Sequence, residues 1–404
     1  MSRATVTLIR FVAHRSRLAN MLVVSLCKGI AYLIRIWLRP SQTEVDRESL
    51  RYNIIVHARD RKGRHSHTLE QWVDVLNRMN GKILILTGPG HPRADILQKL
   101  NATRLQVTTF SEFVHLWTKY PELHKVPMLF TNSAWWFTRQ AVAVHQGRTV
   151  FIGHGESDKP YSSSAHNHLF SDILVAGQVA RARVEQMKVR GRVSIIGRPQ
   201  ALPPRPTRIA ERPLRLLYAP THDSSIGQPG RGFCSVSSFL PTLLEVCKRR
   251  GMELVVKPHP IGSAVLRAHL DRWRKIANEL DNVLLLPPEA DVRSQFEKTD
   301  ILICDVTSVA TDFATSLRPI VWCNPTGLTE TEFRRLVPSS CCAQVVSDPG
   351  TFRSEVFWHA LEVSEERKRF IHEVVAASGG DALRRFALNL GLDVYGTCPD
   401  FVGE

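Results

Sequence analysis

The sequence predicts an α/β protein of two domains, each a parallel sheet covered by helices on both faces, with the domains facing one cleft. Short apolar strand-like runs alternate with helical segments from about residue 50 onward. The proline-rich stretch Pro199-Gln-Ala-Leu-Pro-Pro-Arg-Pro206 breaks that alternation, which then restarts. A length of 404 residues suffices for two full cores.

The first forty residues contain no acidic residue. Arg3, Arg10, Arg17, Lys28 and Arg35 stay within about 40° of one another on a helix. Leu22, Val23, Leu26, Leu33 and Trp37 lie opposite them. A basic stripe opposite an apolar face predicts an interfacial membrane helix, and residues 1–45 are read as a basic amphipathic membrane-contact segment. A helix packed on its own domain and a spanning anchor are the other two readings. Lys28 and Arg35 interrupt the apolar core a signal peptide needs. The uncharged run Leu18–Cys27 is half the length of a bilayer span.

Residues 50–200 form the first α/β domain in this reading. Its strands are expected at Asn53–Ala58, Lys82–Thr87, Leu105–Phe110, Val126–Thr131, Thr149–Gly153, Asp172–Ala176 and Val193–Ile196. Helices are expected over Leu69–Met79 and Ala94–Leu100. Residues 213–375 form the second, with strands at Leu214–Ala219, Glu253–Lys257, Val283–Leu286, Ile301–Asp305 and Ile320–Cys323. Its helices are Phe239–Arg250, Ala264–Leu280 and Val292–Lys298, and residues 376–404 make a C-terminal helix and tail.

Net charge is +15, which fits a soluble basic surface or attraction to a polyanion. The eight cysteines show no C-x-x-C and no zinc spacing, so no metal site is expected and a reducing cytoplasm is. Cys304 and Cys323 fall inside strands and read as small buried hydrophobes. Gly88-Pro-Gly90 is no dinucleotide fingerprint, and neither a P-loop nor a G-x-S-x-G elbow occurs. Ser162–Ser164, His166 and His168 read as a polar loop and helix start, and Trp135, Trp136 and Phe137 as core aromatics.

Residues that can carry chemistry gather at strand ends. The run 300–313, DILICDVTSVATDF, reads as a buried strand, a tight turn and a helix capped by Thr307 or Ser308. That junction would present N–H groups and a helix dipole at the C-terminal edge of a sheet, where open α/β sheets bind phosphorylated ligands. Gly153-His154-Gly155-Glu156 follows a strand and brings a histidine close to a ligand; a plain turn is the bland alternative. Asp158 and Lys159 beyond it read as solvated turn residues. Tyr218-Ala-Pro-Thr221-His-Asp223 and Lys257-Pro-His259-Pro occupy corresponding strand ends. His154, Asp223, His259, Ser308 and Asp312 would then face one interdomain cleft.

These motifs, in this order, resemble the CDP-glycerol glycerophosphotransferases of teichoic acid synthesis. The family's W-H-G-T is similar to Ile152–Glu156, its G-Y-P-R to Gly197-Arg198-Pro199, and its Y-A-P-T to Tyr218–Thr221. Its H-P is similar to His259-Pro260, and its D-x-S-S-x-x-x-D-F to Asp305–Phe313. Its late D-G-x-x-x-x-R is echoed loosely by Gly380-Asp381-Ala-Leu-Arg384, so the resemblance covers about residues 148–390. It implies the GT-B architecture, two Rossmann-like domains about a cleft. It also implies transfer of glycerol phosphate from CDP-glycerol to a hydroxyl of a polymer or lipid-linked acceptor, releasing CMP.

On that resemblance His154 is the general base and Asp223 assists it. His259, Thr307, Ser308, Lys257 and Thr221 hold the donor phosphates, and Asp312 binds glycerol or ribose hydroxyls. No bound cofactor is implied, and Mg²⁺ carried on the donor pyrophosphate would leave no signature. The partners implied are the nucleotide-activated donor, an anionic or lipid-linked acceptor and a membrane surface, with no nucleic acid. The place is the cytoplasmic membrane face. The chain departs from the family at Glu156, at His222-Asp223, where an arginine is lost, and at Thr307. A GT-B glycosyltransferase using a nucleotide sugar, and a non-enzymatic basic binding protein, are the competing readings.

Overall fold

The computed structural model describes residues 17–37, 51–58, 66–88, 94–131, 136–153, 155–159, 165–201, 213–221, 232–259, 273–275, 280–288, 290–359, 361 and 365–395. Within them two parallel sheets organise the chain.

The N-terminal helix α1 (Arg17–Trp37) is followed by β1 (Ile54–Ala58), α2 (Ser66–Glu70), α3 (Val73–Asn77), β2 (Met79–Asn80) and β3 (Ile83–Thr87). Then come α4 (Ala94–Lys99), β4 (Thr103–Gln106), α5 (Phe110–Lys119), β5 (Met128–Phe130), α6 (Trp136–Val144), β6 (Thr149–Phe151), β7 (Asp172–Val175), α7 (Gln178–Glu185) and β8 (Arg192–Ile195). The second half runs β9 (Arg215–Ala219), α8 (Val236–Arg250), β10 (Glu253–Val256), β11 (Val283–Leu285), β12 (Ile301–Cys304), α9 (Ser308–Ala314), β13 (Ile320–Cys323), α10 (Glu330–Leu336) and β14 (Gln344–Val346). The tail holds α11 (Glu355–His359), α12 (Glu365–Val374), α13 (Gly379–Leu390) and β15 (Asp393–Val394).

The first sheet has seven strands in the order β4-β3-β1-β5-β6-β7-β8, and the second six in the order β11-β10-β9-β12-β13-β14. Every neighbouring pair in both is parallel. Central strands such as β1, β3, β12 and β13 are buried along their whole length, which is why they read as unbroken apolar runs rather than alternating ones. Cys304 and Cys323 are fully buried within them. Strand order reverses between β9 and β12, the position at which open α/β sheets as a class bind their ligands.

Three expected elements differ. The strand expected to run to Phe110 stops at Gln106, because Thr109 and Glu112 form a capping box that starts α5. The expected Leu69–Met79 helix is two short helices, α2 and α3, with buried Trp72 between them. Val292–Lys298 is a 3-10 helix capped by Asp291. Of the expected Ala264–Leu280 helix only residues 273–275 and 280 are described.

Helix α1 would be long and apolar enough to cross a membrane, with mean hydropathy 1.5 over Arg17–Ile34. One face is nonetheless docked. Val23 and Cys27 pack with Ala143, and Ala31 joins the core under α5 and α6. Buried Asn20 accepts from Arg139 Nε at 3.0 Å. The opposite face leaves Leu18, Leu22, Leu26 and Leu33 exposed at 66%, 62%, 45% and 55%. Of the residues expected on the apolar face, Val23 therefore turns inward while the leucines do not.

The C-terminal tail returns to the first domain. Leu383, Phe386, Ala387 and Leu390 of α13 enter the core beneath β1 and β3, and Phe386 lies 5.1 Å from Trp72 between ring centres. Arg148 holds the end of α13 through Asn389 O and Oδ1 and is itself paired with Asp172. Replacing Phe386 by Ala should therefore destabilise the first domain, although it lies in the tail. The expected loss is about 3–5 kcal/mol, measured as an earlier unfolding transition in denaturant; an unchanged first-domain transition would contradict this packing.

Candidate active site

Four of the motifs read in the sequence come together on the segment from Asp305 to Asp312. Asp305 ends β12 with no exposed surface. Its Oδ2 accepts from Thr221 N at 2.9 Å and Ser235 N at 3.1 Å, so one carboxylate fixes both ends of the chain between β9 and α8. Burial pushes the Asp305 carboxyl up to about 7, against the pull of Ser235, Thr221 and Lys159 toward the ionised form. Thr307 caps α9 through Val309 N, at 3.4 Å. With seven residues α9 has a small dipole, so side-chain and N–H donors carry more of any anion binding here than the sequence reading assumed.

The first domain reaches this segment with the loop after β6. Gly153 adopts φ +63, a left-handed turn that favours glycine, and its carbonyl accepts from Trp72 Nε1 at 2.8 Å. Gly155 passes so close to Ser308 that an added Cβ would fall 2.6 Å from its Oγ. Thr311 Oγ1 donates to Glu156 O at 2.9 Å, and Ser339 N donates to Asp158 Oδ2 at 2.8 Å. Lys159 Nζ donates to Thr221 Oγ1. The expectation that Asp158 and Lys159 are solvated is thereby overturned: they are 6% and 4% exposed, because contacts from the second domain close over them.

Glu156, the residue that departs from the family pattern, does not add free negative charge to the cleft. Its carboxylate is held by Arg183 and accepts from Ala176 N at 3.1 Å. Arg183 also pairs with Asp158 at 2.6 Å. The loop therefore carries its own counter-charge, supplied by α7.

Arg198, from the Gly-Arg-Pro motif, donates Nε to Asp312 Oδ1 at 2.7 Å, with Nη2 at 2.6 Å. Both side chains are buried and come from different domains. Asp312, expected to meet donor hydroxyls, thus has Arg198 as its partner here. Lys257 is buried at the end of β10 and donates Nζ to the carbonyls of Pro258 at 2.6 Å and Pro288 at 2.9 Å. His259 is half-buried just beyond. His154 and Asp223, the expected base and its assistant, lie outside the described residues. Among the described residues no group of three His, Cys, Asp or Glu side chains is placed to hold a metal ion.

Sequence reasoning did not single out Lys159, Asp305 and Arg198 among the residues that meet at this junction. Asp305 and Arg198 had a signal, since each belongs to a quoted motif. Lys159 had none in its local composition, because its burial is made by the other domain.

Two parallel α/β sheets, whose strand-end loops meet across a cleft, define the GT-B class of architecture. Residues 207–326 match the family model described as CDP-Glycerol:Poly(glycerophosphate) glycerophosphotransferase. The family resemblance seen in the motifs is thus borne out over the first part of the second domain. The wall teichoic acid polymerase TagF shares the fold at 11% identity and a TM-score of 0.54, over 93% of this chain and 95% of that one. So does UDP-GlcNAc 2-epimerase from Neisseria meningitidis bound to UDP-GlcNAc, at 11% identity and TM-score 0.53, covering 83% of this chain and 98% of that one. The S. aureus MnaA–UDP structure is similar at 14% identity and TM-score 0.50, over 83% and 97% of the two chains. No curated protein matches the chain.

The buried pair yields a prediction. Arg198→Met should cost about 3–5 kcal/mol by leaving Asp312 buried beside no counter-charge. Adding Asp312→Leu should recover much of that loss, measured as a double-mutant cycle in denaturant. Additive losses would mean the two side chains are not coupled.

Proposed function

We propose that the protein transfers glycerol phosphate, or a similar polyol phosphate, from a CDP-activated donor to a hydroxyl of a cell-surface polymer or lipid-linked acceptor, releasing CMP. The observation that carries this reading is the convergence of the family motifs on Asp305–Asp312 at the reversal point of the second sheet, inside the segment that matches the family. Separate strands bring residues far apart in the chain to one place, where a nucleotide diphosphate would lie.

On this reading the acceptor hydroxyl attacks the β-phosphorus of the donor. An O–P bond forms, the bond to CMP breaks, and His154 takes the hydroxyl proton with Asp223 assisting it. Thr221, Thr307, Ser308, Lys257 and His259 surround the donor phosphates. Asp312 meets donor hydroxyls with its orientation set by Arg198. Transition-state charge then falls among preorganised donors rather than water. Mg²⁺ enters, where it is used, on the substrate pyrophosphate.

Purified protein given CDP-glycerol and a lipid-linked glycerol phosphate acceptor should release CMP in an acceptor-dependent way. His154→Ala should lower that rate by about 10²–10⁴-fold. Turnover of a nucleotide sugar with no release from CDP-glycerol would replace this reading with a glycosyltransferase.

We further propose that the protein works peripherally at the cytoplasmic membrane face. The support is α1, whose exposed leucines span about 80° of helix surface beside Arg17 and Lys28, as in a helix lying in an anionic interface. The intact protein should co-sediment with vesicles containing anionic lipid and be released by high salt, and Leu22→Glu with Leu33→Glu should abolish this. Failure of the intact protein to bind such vesicles would remove the membrane from the proposal.

A further inference from the structure

The exposed face of α1 continues onto a second surface of the first domain. Ala31 of α1 and Ala180 and Val184 of α7 enter the same core cluster, so both helices cover one face of the first sheet. Helix α1 also packs on the 3-10 turn Ala165–Leu169. Arg139 ties the two together, donating Nε to Asn20 Oδ1 at 3.0 Å with its Nη2 3.4 Å from His166 Nδ1. On its other side the 3-10 turn meets the segment between α7 and β8. Asn167 Nδ2 lies 4.0 Å from Met187 Sδ, and a Cβ on Gly191 would fall 2.4 Å from Phe170 O. His168 is thereby set between Arg17, one helical turn before Asn20, and Arg190.

These elements bring cations together without acids. Helix α1, the 3-10 turn and β8 contain no carboxylate. Those of α7 and β7 are already paired, Glu185 with Arg181 and Asp172 with Arg148 and Arg192. Arg17, Lys188 and Arg190 have no ion pair among the described residues. Val189 packs against the core while Lys188 and Arg190, on either side of it, are exposed, so both cations stand outward. Burial and the fields of Arg17 and Arg190 hold the His168 imidazole below its ordinary range, as happens where positive groups face one another with no anion between them. Leu18, 66% exposed, follows Arg17 directly, so this cationic strip borders the apolar face of α1.

We propose that the turn between α7 and β8 is a second membrane contact. Lys188 and Arg190, with Arg17 at the start of α1, hold the phosphates of anionic lipid headgroups while the leucines of α1 enter the bilayer. This rests on the peripheral-membrane reading above and goes further. A single helix lying in an interface leaves the protein free to roll about the helix axis. A second cationic contact, on a segment fixed to the same sheet, removes that freedom and sets one face of the first domain against the bilayer. Charge complementarity selects the occupant: phosphates in a plane above an apolar layer match cations in a strip beside an apolar face.

The test is binding of the intact protein to phosphatidylcholine vesicles with and without phosphatidylglycerol. Wild type should bind the vesicles that contain phosphatidylglycerol. K188Q with R190Q should weaken that binding by about tenfold or more, since each basic residue near an anionic surface contributes about a fivefold factor. R190E alone should weaken it to a similar extent. K248Q with R335Q removes the same charge from exposed positions on α8 and α10 of the second domain, and should change binding by less than about twofold. All four side chains are exposed, so an unchanged unfolding transition is expected in each variant. Undiminished binding in K188Q with R190Q, or an equal loss in K248Q with R335Q, would overturn the second contact and leave α1 as the membrane element. Wild type that binds both kinds of vesicle equally would overturn the role of headgroup charge. Wild type that binds neither would remove the membrane reading and this proposal with it.

Discussion

A carboxylate with no access to water must be satisfied by the chain around it, and Asp305 occupies that position at the end of β12. The N–H groups that bond its Oδ2 belong to Thr221 and Ser235, which bracket the connection from β9 to α8. Fixing those two points places Thr221 at the crevice between β9 and β12. It also gives Lys159, arriving from the first domain, both a hydroxyl to bond and a charge to face. The geometry of the second domain's ligand edge and the approach of the first domain thus follow from one buried group.

The two domains meet through polar contacts rather than a shared apolar core. The hydrophobic clusters of the first sheet and of the second are separate, and the polar contacts between the domains include Arg198–Asp312, Thr311–Glu156, Ser339–Asp158, Lys159–Thr221 and Arg293–Gln71. Buried ion pairs and hydrogen bonds add little net stability once desolvation is counted. They do impose a register, since each leaves a costly orphan if the surfaces slide.

Sequence pattern carried the sheets well, because a buried parallel strand is a continuous apolar run with few ways to be misread; β1, β3, β12 and β13 are of this type. Capping chemistry outweighed local strand preference at Thr109, where a Thr and a Glu three residues on start a helix. Composition alone could not reveal β14, a three-residue edge strand, or the return of α13 to the first domain. Both are decided by packing between segments far apart in the chain. Motifs marked Thr307, Ser308 and Thr221, which lie at neighbouring strand ends of the second sheet. Lys159 carried no such mark, because a lysine in a polar loop is solvated in most folds, and here Thr221 and Asp305 of the other domain face it.

Arg198 shows how a residue of the Gly-Arg-Pro motif ties the two domains together. The chain crosses between the domains after β8 and again between α12 and α13. The two crossings are bonded to each other where Arg198 N donates to Ala377 O at 2.8 Å. Gly197 permits this approach, with φ +82 and a hypothetical Cβ only 2.2 Å from Ala377 O. From the same residue the guanidinium reaches Asp312 in the second domain. Two laced crossings restrict relative motion of the domains far more than one flexible linker would, leaving rotation about the crossing as the least costly displacement. Such a rotation changes distances least near Arg198 and more at contacts farther from it. The polar contacts of the 155–159 loop are then the ones a rotation would remake, and the crossing at Arg198 the one that keeps the two halves of the site in register.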